Sequence, residues 1–198
     1  MTDIPWEPPF AGTESEQLLG ALERMRTTFR FKADGLDADG LNARIGASAL
    51  TLGGLLKHLA MAEDFTIGVK FGGETVESYT FEPWRSRPAE ADNDWDFSSA
   101  AGDKPSDLYE WYDDSVERAR ARLEAAVAAG GLDQPSASVF PDGIRPNLRR
   151  FVCDMLEEYG RHTGHADLLR EAVDGRTGED PPAGWQPVSG RFRLPRPR

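Results

Sequence analysis

Apolar residues recur at helical spacing in four stretches of the chain, separated by segments rich in glycine, proline and acidic residues. Leu18, Leu22, Met25 and Phe29 fall three or four positions apart and predict a first helix from about Thr13 to Phe31. Thr13 and Glu16 have the spacing of a capping box, in which each side chain satisfies a backbone N–H of the other. A second helix is expected over Thr51–Val69, with Leu52, Leu55, Leu56, Leu59, Ala62 and Phe65 as its buried stripe and Gly72-Gly73 as its stop. On that phasing Lys57 and Asp64 point outward. A third helix begins near Ser106, after Pro105, and runs to about Ala129, where Gly130-Gly131 ends it. The fourth fits Asn147 to Val173, stopped by Gly175.

No stretch alternates apolar and polar residues in the manner of a strand. The expected fold is therefore all-α, a four-helix bundle forming a single domain over residues 1–198. Extended arms are expected at about 1–12, where the aromatics could pack on the body, and at 176–198, a loosely held tail. Asp34–Gly46 and Leu132–Arg145 read as connections, the latter with a Pro141-Asp142-Gly143 turn. Residues 74–104 form a long irregular excursion between the second and third helices. They carry too many aromatics for a disordered linker, so Trp84 and Trp95 are assigned to a substrate lid.

Composition narrows the function. A formal net charge of −11 repels nucleic acid and anionic lipid. The chain has one cysteine, Cys153, which suits a reducing cytoplasm. It is read as incidental, lying opposite the apolar stripe and not placed in an activating site. No run approaches the length needed to span a membrane, and MTDIPWEPPF lacks the pattern of a signal peptide. A monomer and a homodimer are both compatible with this reading.

Two of the three histidines lie in the fourth helix. Glu158 and His162 are four residues apart and share a helical face. His162 falls inside the apolar stripe centred on Met155, Tyr159 and Ala166, Glu158 sits on its flank, and His165 lies at its rim. A carboxylate beside an apolar face is costly unless paired or coordinated, and bundle interiors are places where facing helices build metal sites. His58, bordering the stripe of the second helix, is the candidate third ligand. Ordinary alternatives stay open: His58 as a half-buried histidine, and Glu158 with His162 as a side-chain pair. Glu110, Asp113, Asp114 and Glu117 on the third helix read as a solvated face networked with Arg118 and Arg120.

Two segments carry a resemblance: Thr51-Leu52-Gly53-Gly54-Leu55-Leu56-Lys57-His58-Leu59-Ala60, and Glu157-Glu158-Tyr159-Gly160-Arg161-His162-Thr163-Gly164-His165-Ala166-Asp167-Leu168-Leu169-Arg170-Glu171. In these the chain resembles the DinB-like superfamily of metal-binding four-helix bundles, in particular its actinobacterial mycothiol-dependent branch, which contains maleylpyruvate-isomerase-like and mycothiol-transferase-like members. The resemblance implies a divalent-metal site of His58, Glu158 and His162, with Glu where the commoner pattern has His. His165 is then an outer partner of that site or an alternative ligand. Two imidazoles and one carboxylate with a free position match catalytic zinc. The resemblance further implies mycothiol as thiol co-substrate and transfer to an electrophilic small molecule. A non-catalytic metal-binding stress protein, a hydrolase or isomerase on the same fold, and a bundle without metal are the alternatives.

Overall fold

The computed structural model describes residues 4–195; the outermost parts of the two expected arms, 1–3 and 196–198, lie outside the described residues. Among the described residues the chain is helical, with no strand and one isolated bridge between Pro135 and Asn147. The α-helices are α1 (Glu14–Ala33), α2 (Ala38–Asn42), α3 (Leu52–Glu63), α4 (Trp95–Ser99), α5 (Pro105–Gly130) and α6 (Leu148–Asp174). A π-helical segment, Asp64–Phe71, continues α3.

The four expected long helices are present, and their ends follow from local chemistry. Thr13 and Glu16 form the capping box of α1. Thr51 accepts from Gly54 N–H at the start of α3, and Asn147 from Arg150 N–H at the start of α6. Gly175 closes α6 in the left-handed region, at φ 77°. Helix α1 lies against α6 and α3 against α5, while α3 also touches α6. The apolar faces meet in one core that includes Leu22, Phe29, Leu56, Val116, Phe151 and Met155.

The structure corrects the expected phase of the second helix. A helix advances about 100° per residue, so stepping by three drifts about 60° each time. The steps from Leu59 to Ala62 to Phe65 therefore leave the core. Phe65 is 38% exposed, whereas Glu63, Asp64 and Ile67 are fully buried. Lys57, expected outside, is buried as well: its ammonium donates to Ser99 Oγ at 2.8 Å and Asp103 Oδ2 at 2.6 Å and sits 4.0 Å from the Trp95 ring. The flanks of α3 that look polar in sequence are thus covered by α4 and α5.

Buried charges on α3 are paired across helices. Arg26 on α1 makes a bidentate pair with Glu63, both contacts at 2.6 Å, and the Tyr159 hydroxyl donates to Glu63 Oε1 at 2.8 Å. Asp64 accepts from Arg118 at 2.7 and 3.0 Å, from Arg122 at 3.0 Å and from Ser115 at 3.0 Å. The expected solvated network on α5 is corrected accordingly. Asp113 is buried against Arg30 at 2.8 Å, Arg118 turns to Asp64, and Arg120 reaches Glu23 on α1 while keeping Glu117 as a neighbour.

The tail is docked rather than loose. Asp34 accepts from the backbone N–H groups of Val188 and Ser189 at 2.9 and 3.1 Å, and Phe192 is buried with its ring stacked on Tyr112. Gly190, at φ 66°, lets the backbone pass over the Arg30–Asp113 pair; a Cβ there would lie 2.3 Å from Asp113 Oδ2. The other arm buries Trp6 but leaves Phe10 89% exposed.

Residues 74–104 pack on the body. Tyr79 is buried, its hydroxyl donating to the Asp64 carbonyl at 3.1 Å, and Arg118 covers the Phe81 ring at 3.9 Å. Gly68 makes room for the Tyr79 hydroxyl, which would lie 2.2 Å from a Cβ at that position.

Candidate metal centre

His58 and Met61 of α3 and Phe65 of its continuation line one cleft together with Met155 and Glu158 of α6. There His58 meets Glu158 and His162. His58 Nε2 lies 2.8 Å from Glu158 Oε1, and His162 Nε2 lies 3.1 Å from the same oxygen. One donor atom from each residue falls within 4.8 Å of the others. Donors bound to one zinc ion at about 2.0–2.2 Å stand roughly 3–3.5 Å apart, so the cluster has the chemistry and nearly the spacing of a mononuclear site.

His162 is buried, His58 is largely so, and Glu158 is half-exposed. Hydrogen bonds from His162 and His58, working against a smaller burial effect, hold the Glu158 carboxyl well below the usual range. It is therefore an ionised acceptor. Burial opposes charge on His58, yet hydrogen bonds to Asp96 and Glu158 outweigh it and raise its pKa to about 9. A cation entering this site must displace the His58 Nε2 proton, because only the neutral imidazole ligates. If a divalent cation binds here at pH 7, its uptake is expected to release about one proton from His58, and its affinity to climb as pH rises toward 9. Calorimetry in buffers of different ionisation enthalpy measures the release; pH-independent affinity with no proton released rules this out.

The remaining expected site residues divide. His165 does not join the donor cluster. Its Nδ1 lies 3.3 Å from Nδ1 of His162, on the ring edge away from Glu158. Burial, together with the nearby His162 and Arg161, lowers the His165 pKa. Trp84 lines a cleft of about 700 Å³ that opens beside His58 and Glu158, and its ring stacks on Phe65 at 6.1 Å. Trp95 is corrected: it is absent from the cleft lining and instead lies under Lys57.

Sequence reasoning missed Asp96. Its Oδ2 sits 2.7 Å from His58 Nδ1, and Phe97 stacks on the same imidazole with centroids 4.4 Å apart. Both belong to α4, inside the excursion. The available signal was the Asp94-Trp95-Asp96-Phe97 run, whose mixture of acids and aromatics is unusual for a linker.

The family model for mycothiol-S-transferase matches residues 17–175. The chain belongs to the mycothiol-S-transferase family. Comparison with curated proteins and with solved structures gives no match. In this member of the mycothiol-S-transferase family the matched span runs from α1 to the residue that closes α6, and so contains His58, Asp96, Glu158 and His162. The docked tail lies beyond it. No helix among the described residues is long and apolar enough to cross a membrane.

Proposed function

We propose that this protein is a metal-dependent thiol S-transferase, in which His58, Glu158 and His162 hold one zinc ion and mycothiol is joined to an electrophilic small molecule in the adjoining cleft. The observation that carries the reading is the convergence of two imidazoles and an ionised carboxylate, from two helices, at the wall of a cleft large enough for small molecules. Family membership supplies the thiol. A cation held there supplies the charge that keeps a thiol in its nucleophilic, deprotonated form at neutral pH.

The protein's own groups have separate parts. Glu158 offers a formal negative charge between the two rings. Met61, Phe65, Trp84 and Met155 give the cleft an apolar side that excludes water from the electrophile. Arg87, Asn93 and Arg161 line its polar side and can donate to the hydroxyls of a sugar-bearing thiol. With His165 engaged on the far edge of His162, three protein ligands leave room for a small molecule. That favours a transferase over a closed, non-catalytic site. The architecture is read as a DinB-like four-helix bundle in a single domain, and the lone cysteine favours a cytoplasmic setting.

The test is consumption of mycothiol with a chloronitroarene by protein of measured metal content. Zinc-loaded protein is expected to consume thiol well above the buffer rate, and chelation is expected to return it to that rate, with zinc restoring it. A rate equal to buffer across several electrophiles, from protein carrying one zinc, would favour the non-catalytic alternative. Turnover that persists without any thiol would favour a hydrolase.

A further inference from the structure

We propose that Asp96 is a positioning residue for the metal-bearing imidazole, fixing His58 so that Nε2 and not Nδ1 faces the cation. The inference rests on the metal reading above and adds to it a residue outside the two long helices that carry the ligands. His58 has two chemically similar nitrogens, and an unrestrained ring could present either one. The ring is instead fixed on three sides. Asp96 Oδ2 accepts from Nδ1–H at 2.7 Å, Glu158 lies 2.8 Å from Nε2, and Phe97 covers one face of the ring, inclined by 23°. Asp96 is itself held, since Oδ1 accepts from Phe97 N–H at 3.0 Å.

Helix α4 in turn grips α3 through Lys57, the residue beside His58. Lys57 donates to Ser99 Oγ, and its ammonium lies over the Trp95 ring. Trp95, Asp96, Phe97 and Ser99 therefore take hold of two successive residues of α3. With Nδ1–H held on the Asp96 carboxylate, Nε2 is the nitrogen left to face a cation, and the hydrogen bond would strengthen it as a ligand. His162 has a corresponding but longer contact in His165, 3.3 Å between Nδ1 atoms, against the 2.7 Å contact of His58 with Asp96.

The experiment uses the full chain, stripped of metal and titrated with zinc against a chromophoric chelator, and separately with cobalt for its visible spectrum. Asp96→Asn is expected to weaken zinc binding by about 10–100-fold, the usual cost of losing such an outer partner, and to change the cobalt bands. Asp96→Glu is expected to recover part of the affinity. Phe97→Leu, which keeps the carboxylate but loses the stacked ring, is expected to weaken binding less than Asp96→Asn does; a loss equal to or larger than that of Asp96→Asn, with Asp96→Asn near the parent, would assign the positioning to the ring and overturn the proposal. Zinc-loaded parent protein with ¹⁵N-labelled histidine is expected to show His58 protonated at Nδ1 and ligating through Nε2. That measurement stands even if Asp96→Asn does not fold. Ligation through Nδ1 overturns the proposal, as does a folded Asp96→Asn with parental affinity and spectrum; in both cases the metal reading survives. Parent protein that takes up neither zinc nor cobalt overturns both.

Discussion

Glu158→Gln is expected to lose more than about 100-fold in thiol transfer and to be purified without stoichiometric metal, while keeping its helical circular dichroism. The substitution conserves shape and one acceptor oxygen but removes the only formal negative charge among the three donors. Outer partners of metal ligands cost about 10–100-fold when lost, so a ligand facing both imidazoles should cost more. Glu158 is half-exposed, away from the Arg26–Glu63 pair that joins α1 to α3, so helix packing has no reason to fail with it. His162→Ala should match it in metal content. Full activity and one zinc per chain in Glu158→Gln would remove the carboxylate from the site and return the sequence-level alternative of a simple side-chain pair.

The second large effect concerns stability. Glu63→Ala is expected to destabilise the protein by about 3–5 kcal/mol in urea denaturation, because it strands Arg26, fully buried, with only Glu23 as a carboxylate partner. It also removes the carboxylate acceptor of the Tyr159 hydroxyl, leaving it the Tyr112 hydroxyl at 3.0 Å. Against a typical total of about 5–15 kcal/mol, that is a large fraction. Replacing the pair with apolar residues, Arg26→Met with Glu63→Leu, is expected to recover much of the loss, since neither charge must then be desolvated. A Glu63→Ala midpoint equal to the parent would mean that Arg26 finds water or another acid, and that the pair does not join α1 to α3 as described.

The contrast between these two regions explains what the sequence disclosed. Glu158 and His162 were legible as a facing pair because helical spacing fixes which residues share a face; His58 was a candidate beside an apolar stripe, and the family resemblance joined it to them. The long helices were legible through their caps, with Thr13, Thr51, Asn147 and Gly175 all placed within a residue or two. Glu63, Asp64 and Asp113 were not legible as core residues. Their partners Arg26, Arg118 and Arg30 come from other helices, and a charge buried by a distant partner looks the same in sequence as a charge in water. Asp96 was hidden for a related reason. It sits on a five-residue helix inside an irregular segment, where no periodicity assigns a direction to its side chain. The tail was misread because its anchors are backbone N–H groups of Val188, Ser189 and Arg191 meeting Asp34 and Asp113, contacts that composition does not reveal.

The outer wall of the cleft, with Val76, Glu77, Trp84, Arg87, Asp92 and Asn93, comes from one continuous stretch. That stretch is fastened on one side where Tyr79 meets the backbone of Asp64 and on the other where α4 grips Lys57 and His58. Between these fixtures its arginines bond within the stretch itself, Arg85 to Glu82 and Arg87 to the carbonyls of Ala91 and Asp92. The stretch is therefore a natural cassette for redesign: swapping it as a unit, with Tyr79 and residues 95–99 retained, offers a route to altered acceptor preference without rebuilding the reactive centre.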